Sequence, residues 1–203
     1  MSVGIRINID TKDIKKKIKH LEGIKNGGAK AVMRALNRTV NGMKTDAAKE
    51  VSSRYTAKQK DVKDKLQTGK ASMSNLSVAL RSKGRPMASA KFRHTANKNP
   101  GKKKGKPVSL VAMKGQRLMK LHGDGKKSTA FMASMKSGHR GIFQRIVNLG
   151  DKDREKIREV YSPGVVQMMD NKETREAIQN NAVNRFNKEL DHQIKHLLDK
   201  RKG

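Results

Sequence analysis

Two histidines are the residues of this chain with the spacing of metal ligands. His192 and His196 are four residues apart in a predicted helix, so both lie on one face, as two ligands of a single zinc ion would. A zinc site needs at least a third protein ligand. Asp191 and Asp199 are near, but they occupy positions that are common on exposed helices. We therefore interpret the pair as solvated histidines and predict no metal.

A second candidate is a loop that ends like a phosphate-binding loop. Residues 123–129 read Gly-Asp-Gly-Lys-Lys-Ser-Thr. A phosphate-binding loop has the spacing Gly-x-x-x-x-Gly-Lys and leads into a helix. Here the spacing differs, and residues 131–136 alternate between apolar and polar side chains as a strand does. We interpret the likeness as coincidence.

A third candidate is a hydroxyl and an imidazole close in the sequence. Ser134, Ser137 and His139 supply these two groups, but no carboxylate lies near them in the sequence to complete a triad. Acidic residues are also rare in the middle of the chain, where a carboxylate pair or a magnesium site would be needed. An enzyme, such as a nuclease, is therefore the least favoured class, and no cofactor is predicted.

Positive charge is the dominant chemical feature of the sequence. The chain has 48 Lys and Arg against 18 Asp and Glu, a net charge of +30. Residues 81–127 hold 15 Lys and Arg and one acid, whereas residues 151–203 hold 12 Lys and Arg and 10 acids. A free monomer with this charge repels itself. A polyanionic partner is expected: nucleic acid first, then an acidic protein, then an anionic membrane surface.

The densest basic segment is residues 94–107, which contain Pro, Gly and lysines and no apolar residue larger than Ala. We predict a flexible basic loop there. Lysine neutralises phosphate without reading sequence, and the chain has few aromatic residues to stack on bases. Any nucleic-acid contact is therefore expected to be non-specific, the alternatives being acidic protein or solvent. The candidate contacts are Arg85, Lys91, Arg93, Lys102, Lys103, Lys104, Lys106, Lys126 and Lys127.

The composition restricts the remaining classes. The 203 residues suit one domain, and a hydrophobic content of 34 % predicts a small core that partners help to stabilise. The absence of Cys excludes disulfides, thiolate zinc sites and thiol catalysis. No stretch approaches the roughly 18 apolar residues of a membrane span. The N-terminus lacks the pattern of a signal peptide, so we expect no export by the secretory route.

Hydrophobic periodicity predicts the order strand, helices, a block of strands, then helices. Thr56 is the predicted N-cap of the third helix, and residues 68–72 are a predicted linker. The segregation predicts a single α+β domain over residues 1–203, an antiparallel sheet packed by helices, with long N-terminal and C-terminal helices. The predicted strands are 3–9, 75–81, 108–113 and 117–122, with 87–93 extended, and the predicted helices are 11–22, 29–53, 56–66 and 172–198.

Residues 129–169 are predicted to form a hairpin, a crossing and a helix. The strands 131–136 and 142–146 flank a turn at Gly138, since Gly tolerates positive φ. The charged residues 151–158 follow as a solvated connection or a helical turn. Ser162 is the predicted N-cap of the next helix and Pro163 its first residue, with a break at 170–171. The stretch is a predicted core, anchored by three of the six aromatic residues: Phe131, Phe143 and Tyr161.

The same stretch carries a family pattern. It reads Phe-x-Ala from Phe131, then Ser-Gly-His-Arg-Gly-Ile-Phe-x-Arg, then Tyr-Ser-Pro-Gly-Val-x-Gln-Met from Tyr161. This order resembles the C-terminal half of the Z-type minor tail proteins of tailed bacteriophages, also called tail completion proteins. Residues 31–40 are similar to the family's first long helix, so the resemblance covers nearly the whole chain. The motif residues are Phe131, Gly138, Gly141, Phe143, Arg145, Tyr161, Pro163 and Gly164.

The resemblance implies a structural virion protein without enzymatic activity. Such a protein acts at the head-proximal end of the tail and is needed to finish tails and join them to filled heads. It is assembled in the host cytoplasm, and from this setting we expect a homo-hexameric ring. The ring would contact the tail terminator, the tail tube and the head-completion or connector proteins, with lysines holding genomic double-stranded DNA in the channel and no membrane involved. The alternative is a stand-alone basic protein that binds DNA or RNA non-specifically.

Overall fold

The computed structural model describes residues 2–6, 11–95, 108–121, 130–146 and 157–202. The helices predicted at 11–22, 29–53 and 172–198 are confirmed within these residues, and the last helix continues to Lys202. The helices are α1 (Thr11–Ile18), α2 (Gly27–Arg54), α3 (Gln59–Lys63), α4 (Val165–Asp170) and α5 (Lys172–Lys202), with 3-10 turns at Lys19–Leu21 and Ser89–Lys91.

The helices α2 and α5 pack side by side in antiparallel directions. They have 28 and 31 residues, which corresponds to about 42 and 46 Å. Arg54 near the end of α2 pairs with Glu173 near the start of α5, and Arg38 pairs with Glu189 at 3.4 Å. The two helices therefore run along each other over most of their length.

The main hydrophobic core is built on this helix pair. Ala31, Ala35 and Ala47 on α2 are completely buried, and Phe186 on α5 is the largest fully buried side chain. Small residues on a helix face allow close packing. The main core therefore lies on α2 and α5. The core predicted at residues 129–169 is confirmed in part, because Val165, Met168 and Met169 belong to this main core. The hairpin there instead covers a second, smaller cluster: Val108, Ala130, Met132 and Ile142.

In the described part of the chain, the strands form four small antiparallel sheets, which confirms the α+β class. Their orders are β1-β3-β2, β10-β9-β8, β11-β4 and β5-β6-β7. The strands are β1 (Ser2–Arg6), β2 (Leu66–Gly69), β3 (Ala79–Lys83), β4 (Met87–Ala88), β5 (Arg93–His94), β6 (Ser109–Val111), β7 (Met119–Lys120), β8 (Phe131–Ser134), β9 (Arg140–Arg145), β10 (Ile157–Glu159) and β11 (Tyr161–Ser162).

The predicted hairpin of residues 131–146 is confirmed. Strands β8 and β9 pair with Phe131 opposite Phe143, and Gly138 makes the turn at φ +79°. The predicted pairing of 108–113 with 117–122 is also confirmed, as β6 with β7. Of the charged connection, residues 151–156 lie outside the described part, and the described remainder begins β10.

The predicted helix at 56–66 is only partly confirmed. Thr56 is not its N-cap, because the Thr56 hydroxyl bonds the carbonyl of Val111 and accepts the N–H of Arg93. The helix is confined to α3, and buried Leu66 begins strand β2. The linker interpretation missed this strand, which pairs with β3. A short strand that begins with buried Leu66 therefore replaced both predictions.

The prediction of Ser162 as a helix cap with Pro163 as the first helical residue is wrong. The Ser162 hydroxyl lies 2.8 Å from that of Ser89, and both are buried. This hydrogen bond joins β11 to the turn after β4. The N-cap of α4 is Gly164, whose N–H donates to Oε1 of Gln167 at 2.9 Å. The predicted break at 170–171 is confirmed by the end of α4 at Asp170.

The absence of a side chain at Gly164 allows the backbone of Arg85 to pack closely against it. A Cβ at Gly164 would lie 2.7 Å from the carbonyl oxygen of Arg85, a backbone atom that cannot rotate away. We expect Gly164→Ala to lower the free energy of unfolding by about 1–3 kcal/mol, measured by urea denaturation. The control is Gly69→Ala, where the nearest heavy atom is 3.6 Å away. Equal losses in the two variants would contradict this explanation.

Candidate functional site

The motif residues of the hairpin and of β11 converge on one carboxylate. Glu159 lies opposite Phe143 in the β9–β10 pair, and its side chain is only 13 % exposed. Its Oε1 lies 3.1 Å from Nε2 of His139, and its Oε2 accepts a hydrogen bond from the Tyr161 hydroxyl at 3.0 Å. Glu159 therefore ties the hairpin turn to the strand that leads into α4.

Gly141 makes room for this carboxylate. A Cβ at Gly141 would lie 2.6 Å from Oε1 of Glu159 and 3.2 Å from a ring carbon of Phe143. The His139 ring meets the Phe143 ring edge-on, with centroids 6.2 Å apart. A glycine in a strand often marks such a close approach. Gly141 was therefore the sequence signal for this cluster, and Glu159 was the residue that the sequence interpretation missed.

The three predicted core aromatics have different surroundings. Phe143 is buried, and Phe131 is half-buried with the Arg145 guanidinium 5.6 Å from its ring centroid. Tyr161 is 56 % exposed, so its prediction as a core anchor is wrong. Its hydroxyl reaches Glu159 from the solvent side, which leaves the ring uncovered.

The cluster does not assemble a hydrolase triad. Glu159 supplies a carboxylate beside His139, but Ser134 and Ser137 are exposed, and no hydrogen bond joins either hydroxyl to the imidazole. His192 and His196 are exposed on α5. Across the described part of the chain, no group of three or more His, Asp or Glu residues is arranged to hold a metal ion.

The strands also gather the flanks of the two lysine-rich segments. The N–H of Thr95 donates to the carbonyl of Ser109 at 3.0 Å. The N–H of Leu121 donates to the carbonyl of Val108 at 2.9 Å, and the N–H of Ala130 donates to the carbonyl of Leu121 at 3.1 Å. The residues that flank segments 96–107 and 122–129 are therefore neighbours at one end of the β5-β6-β7 sheet. We call this the basic sheet end, defined by Thr95, Val108, Leu121 and Ala130.

The predicted cationic contacts are only partly in the described residues. Arg85 and Arg93 are exposed. Lys91 is paired with Asp61 at 2.6 Å, so part of its charge is already compensated. Arg93 lies in β5 near the basic sheet end, whereas the Arg85 carbonyl packs on Gly164. Lys102, Lys103, Lys104, Lys106, Lys126 and Lys127 lie outside the described residues.

His94, also in β5, does not add to this positive charge. Burial lowers the pKa of His94, an effect that a hydrogen bond to the Ala90 backbone opposes and the charge of nearby Arg140 reinforces. Its Nδ1 is buried and has no hydrogen-bond partner among the described residues. Burial therefore favours the neutral imidazole.

The lowered pKa of His94 predicts a pH dependence of stability. The unfolded chain takes up a proton at the ordinary histidine pKa, about 6.5, whereas the folded chain does so only at lower pH. The free energy of unfolding should therefore fall as the pH drops below about 6.5. In thermal unfolding, His94→Gln should flatten this dependence, whereas the exposed-site control His192→Gln should not. An unchanged profile for His94→Gln would contradict the burial effect.

The Glu159 cluster predicts a shifted tyrosine titration. The hydrogen bond and the negative charge of Glu159 raise the pKa of Tyr161, because an ionised phenol would face a carboxylate. Glu159→Gln should move the Tyr161 pKa down toward its ordinary value, measured by NMR of the tyrosine rings. The control is Glu176→Gln, an exposed acid on α5. The same Tyr161 pKa in wild type and Glu159→Gln would show that the contact is absent in solution.

Comparison with known proteins gives one match. The family model described as prophage minor tail protein Z (GPZ) matches residues 11–201. No curated protein and no solved structure matches the chain. None of the described helices is long and apolar enough to cross a membrane. The match includes α1, the α2–α5 pair and the whole motif hairpin, which supports a structural role in a phage tail together with other tail proteins. The chain therefore belongs to the prophage minor tail protein Z family.

Proposed function

We propose that this protein completes the phage tail at its head-proximal end, the neck, and is needed there for joining tail to head. The family match over residues 11–201 supports a tail protein. The proposed role is structural and includes no catalytic step or cofactor. The protein is assembled in the host cytoplasm and retained in the virion.

The observation that carries the proposal is that the residues flanking the two lysine-rich segments lie together at the basic sheet end. Residues 96–107 and 122–129 contain seven lysines and one acid, Asp124. The flanks of both segments are joined by the hydrogen bonds of Leu121 with Val108 and Ala130. Both segments therefore begin and end at neighbouring residues of the basic sheet end. A ring that turned this end toward its lumen would surround the channel with positive charge.

The proposed ligand of this charge is the backbone of genomic double-stranded DNA. Lysines that neutralise phosphates release counterions and give affinity without base recognition. Recognition of single-stranded bases needs exposed aromatic rings. Tyr55, Phe92, Phe143 and Phe186 are buried, which leaves few rings for stacking. Non-specific contact with duplex DNA is therefore the form of binding that the surface favours.

The proposed assembly is a homo-hexameric ring that contacts the tail terminator, the tail tube and the head-completion or connector proteins. Its net charge of +30 per chain opposes the close approach of copies. DNA in the channel and acidic neighbours would both reduce this repulsion. The ring is therefore expected to be most stable in the assembled neck.

Neutralising the lysine cluster tests the DNA contact. We expect replacement of Lys102, Lys103, Lys104 and Lys106 with Gln to weaken binding of the purified protein to random-sequence duplex DNA. The slope of log affinity against log salt should decrease in magnitude by about 0.9 for each lost phosphate contact. Phage that carry the variant should assemble joined heads and tails but position their DNA poorly. Wholly normal infectivity would contradict the DNA role.

The control variant removes four exposed lysines from α5: Lys172, Lys188, Lys195 and Lys200. It loses the same charge, so equal weakening in both variants would show attraction to net charge alone. The stand-alone alternative is tested by the mass of the wild-type protein. A monomer that coats DNA at low salt and forms no ring with tail proteins would support that alternative over the neck role.

A further inference from the structure

Strand β7 has both of its faces exposed. Leu118 immediately precedes β7, and Met119 is the first residue of β7. They are 50 % and 59 % exposed, whereas Leu110 and Val111 on the neighbouring strand β6 are buried. Exposed large apolar side chains at adjacent positions of the chain are a surface that a partner would cover.

The outer edge of β7 also offers backbone hydrogen-bonding groups. The N–H of Leu121 donates to the carbonyl of Val108 at 2.9 Å, which places this N–H on the β6 side, whereas the Leu121 carbonyl accepts the N–H of Ala130 at 3.1 Å. Hydrogen-bonded and non-bonded pairs alternate along antiparallel strands. Lys120, opposite Ser109, is therefore in a non-bonded pair, and its N–H and C=O point away from β6. In the described part of the chain, β7 pairs with no other strand.

Cations flank this apolar edge. Lys114, Arg117 and Lys120 are exposed, and no described acid forms an ion pair with any of them. Acidic residues at matching positions of an added strand would lie opposite these cations. Opposite charges across a strand pair stabilise it, and like charges destabilise it.

We propose that the β7 edge binds an extended segment of another tail protein, with alternating acidic and apolar residues, by strand addition. The backbone groups of Lys120 would pair with the segment, its apolar side chains would cover Leu118 and Met119, and its acids would meet Arg117 and Lys120. This inference goes beyond the neck role and does not depend on DNA contact.

The same features disfavour two other occupants. In an antiparallel pairing with a second copy, the cations Arg117 and Lys120 would face those of the other chain, as charged edge strands do to prevent self-association. Duplex DNA would satisfy the cations but would leave Leu118 and Met119 uncovered. A strand with acidic and apolar residues would pair with the backbone groups, the cations and the apolar side chains of this edge.

The test uses the full-length protein and a labelled peptide in which Glu and Val alternate, followed by fluorescence anisotropy. We expect the peptide to bind, and a peptide with Lys in place of Glu not to bind. A third peptide, N-methylated at every second residue on the edge that faces β7, keeps its charge and side chains but loses backbone donors. It should bind at least about tenfold more weakly. Equal binding of the N-methylated peptide would overturn strand addition.

Paired variants locate the binding edge. Arg117→Glu with Lys120→Glu should weaken peptide binding at least about tenfold, whereas Lys58→Glu with Lys70→Glu, a matched change at other exposed lysines, should have little effect. Equal weakening by the two charge variants would overturn the assignment to β7.

The apolar contribution has its own matched pair. Leu118→Ser with Met119→Ser should weaken binding, and Met73→Ser with Leu76→Ser, at side chains 43 % and 42 % exposed, should not. Competition identifies the occupant. The proposal is overturned if duplex DNA displaces the peptide equally well from wild type and from the variant with Gln at the four lysines of residues 102–106. It is also overturned if the β7 variants change the oligomeric state of the purified protein.

Discussion

The structure depends on the packing of α2 against α5, which joins an early segment of the chain to its last one. Arg185 on α5 crosses over Gly42 on α2 and forms a two-oxygen ion pair with Asp46, with nitrogen–oxygen distances of 2.8 to 3.1 Å. A Cβ at Gly42 would lie 2.4 Å from Nε of Arg185. Glycine lowers helix propensity by about 1 kcal/mol, and here it opens the space in which the two helices are bound to each other. In a chain with so many cations, the few acids on these helices stabilise the pairing and leave much of the remaining surface positive.

The small sheets form two different surfaces. On one, Glu159 binds His139 and Tyr161, and the buried Ser89–Ser162 hydrogen bond connects β11 to β4. These contacts fix the hairpin and the turn that leads from β11 into α4. The glycines of the family motif are explained by the close contacts that Gly141 and Gly164 allow. On the other, the β5-β6-β7 sheet brings together the flanks of the lysine-rich segments and exposes the edge of β7.

Local patterns predicted the elements better than their contacts. The 3.6-residue periodicity was sufficient for α2 and α5, and alternation with Gly138 was sufficient for the β8–β9 hairpin. The cap at Ser162 was wrong because its hydroxyl is used by Ser89, 73 residues away in the chain. The prediction that Tyr161 is buried was wrong because its hydroxyl bonds Glu159 at the surface. An aromatic side chain indicates burial in the sequence, but this polar contact could not be seen there. The His139–Glu159 contact depends on the register of β9 with β10, which the sequence alone does not determine. The neck position, the ring and the DNA contact remain proposals.

The measurement that tests the proposed neck position most directly is the location of the protein in assembled virions. The chain has no Cys, so a single thiol placed at the exposed position Lys195→Cys can be labelled with gold and imaged by electron microscopy. We predict gold at a single location on each tail, its head-proximal end, both in virions and in tails separated from their heads. Gold at the distal tip, or distributed along the tail tube, would contradict the neck position.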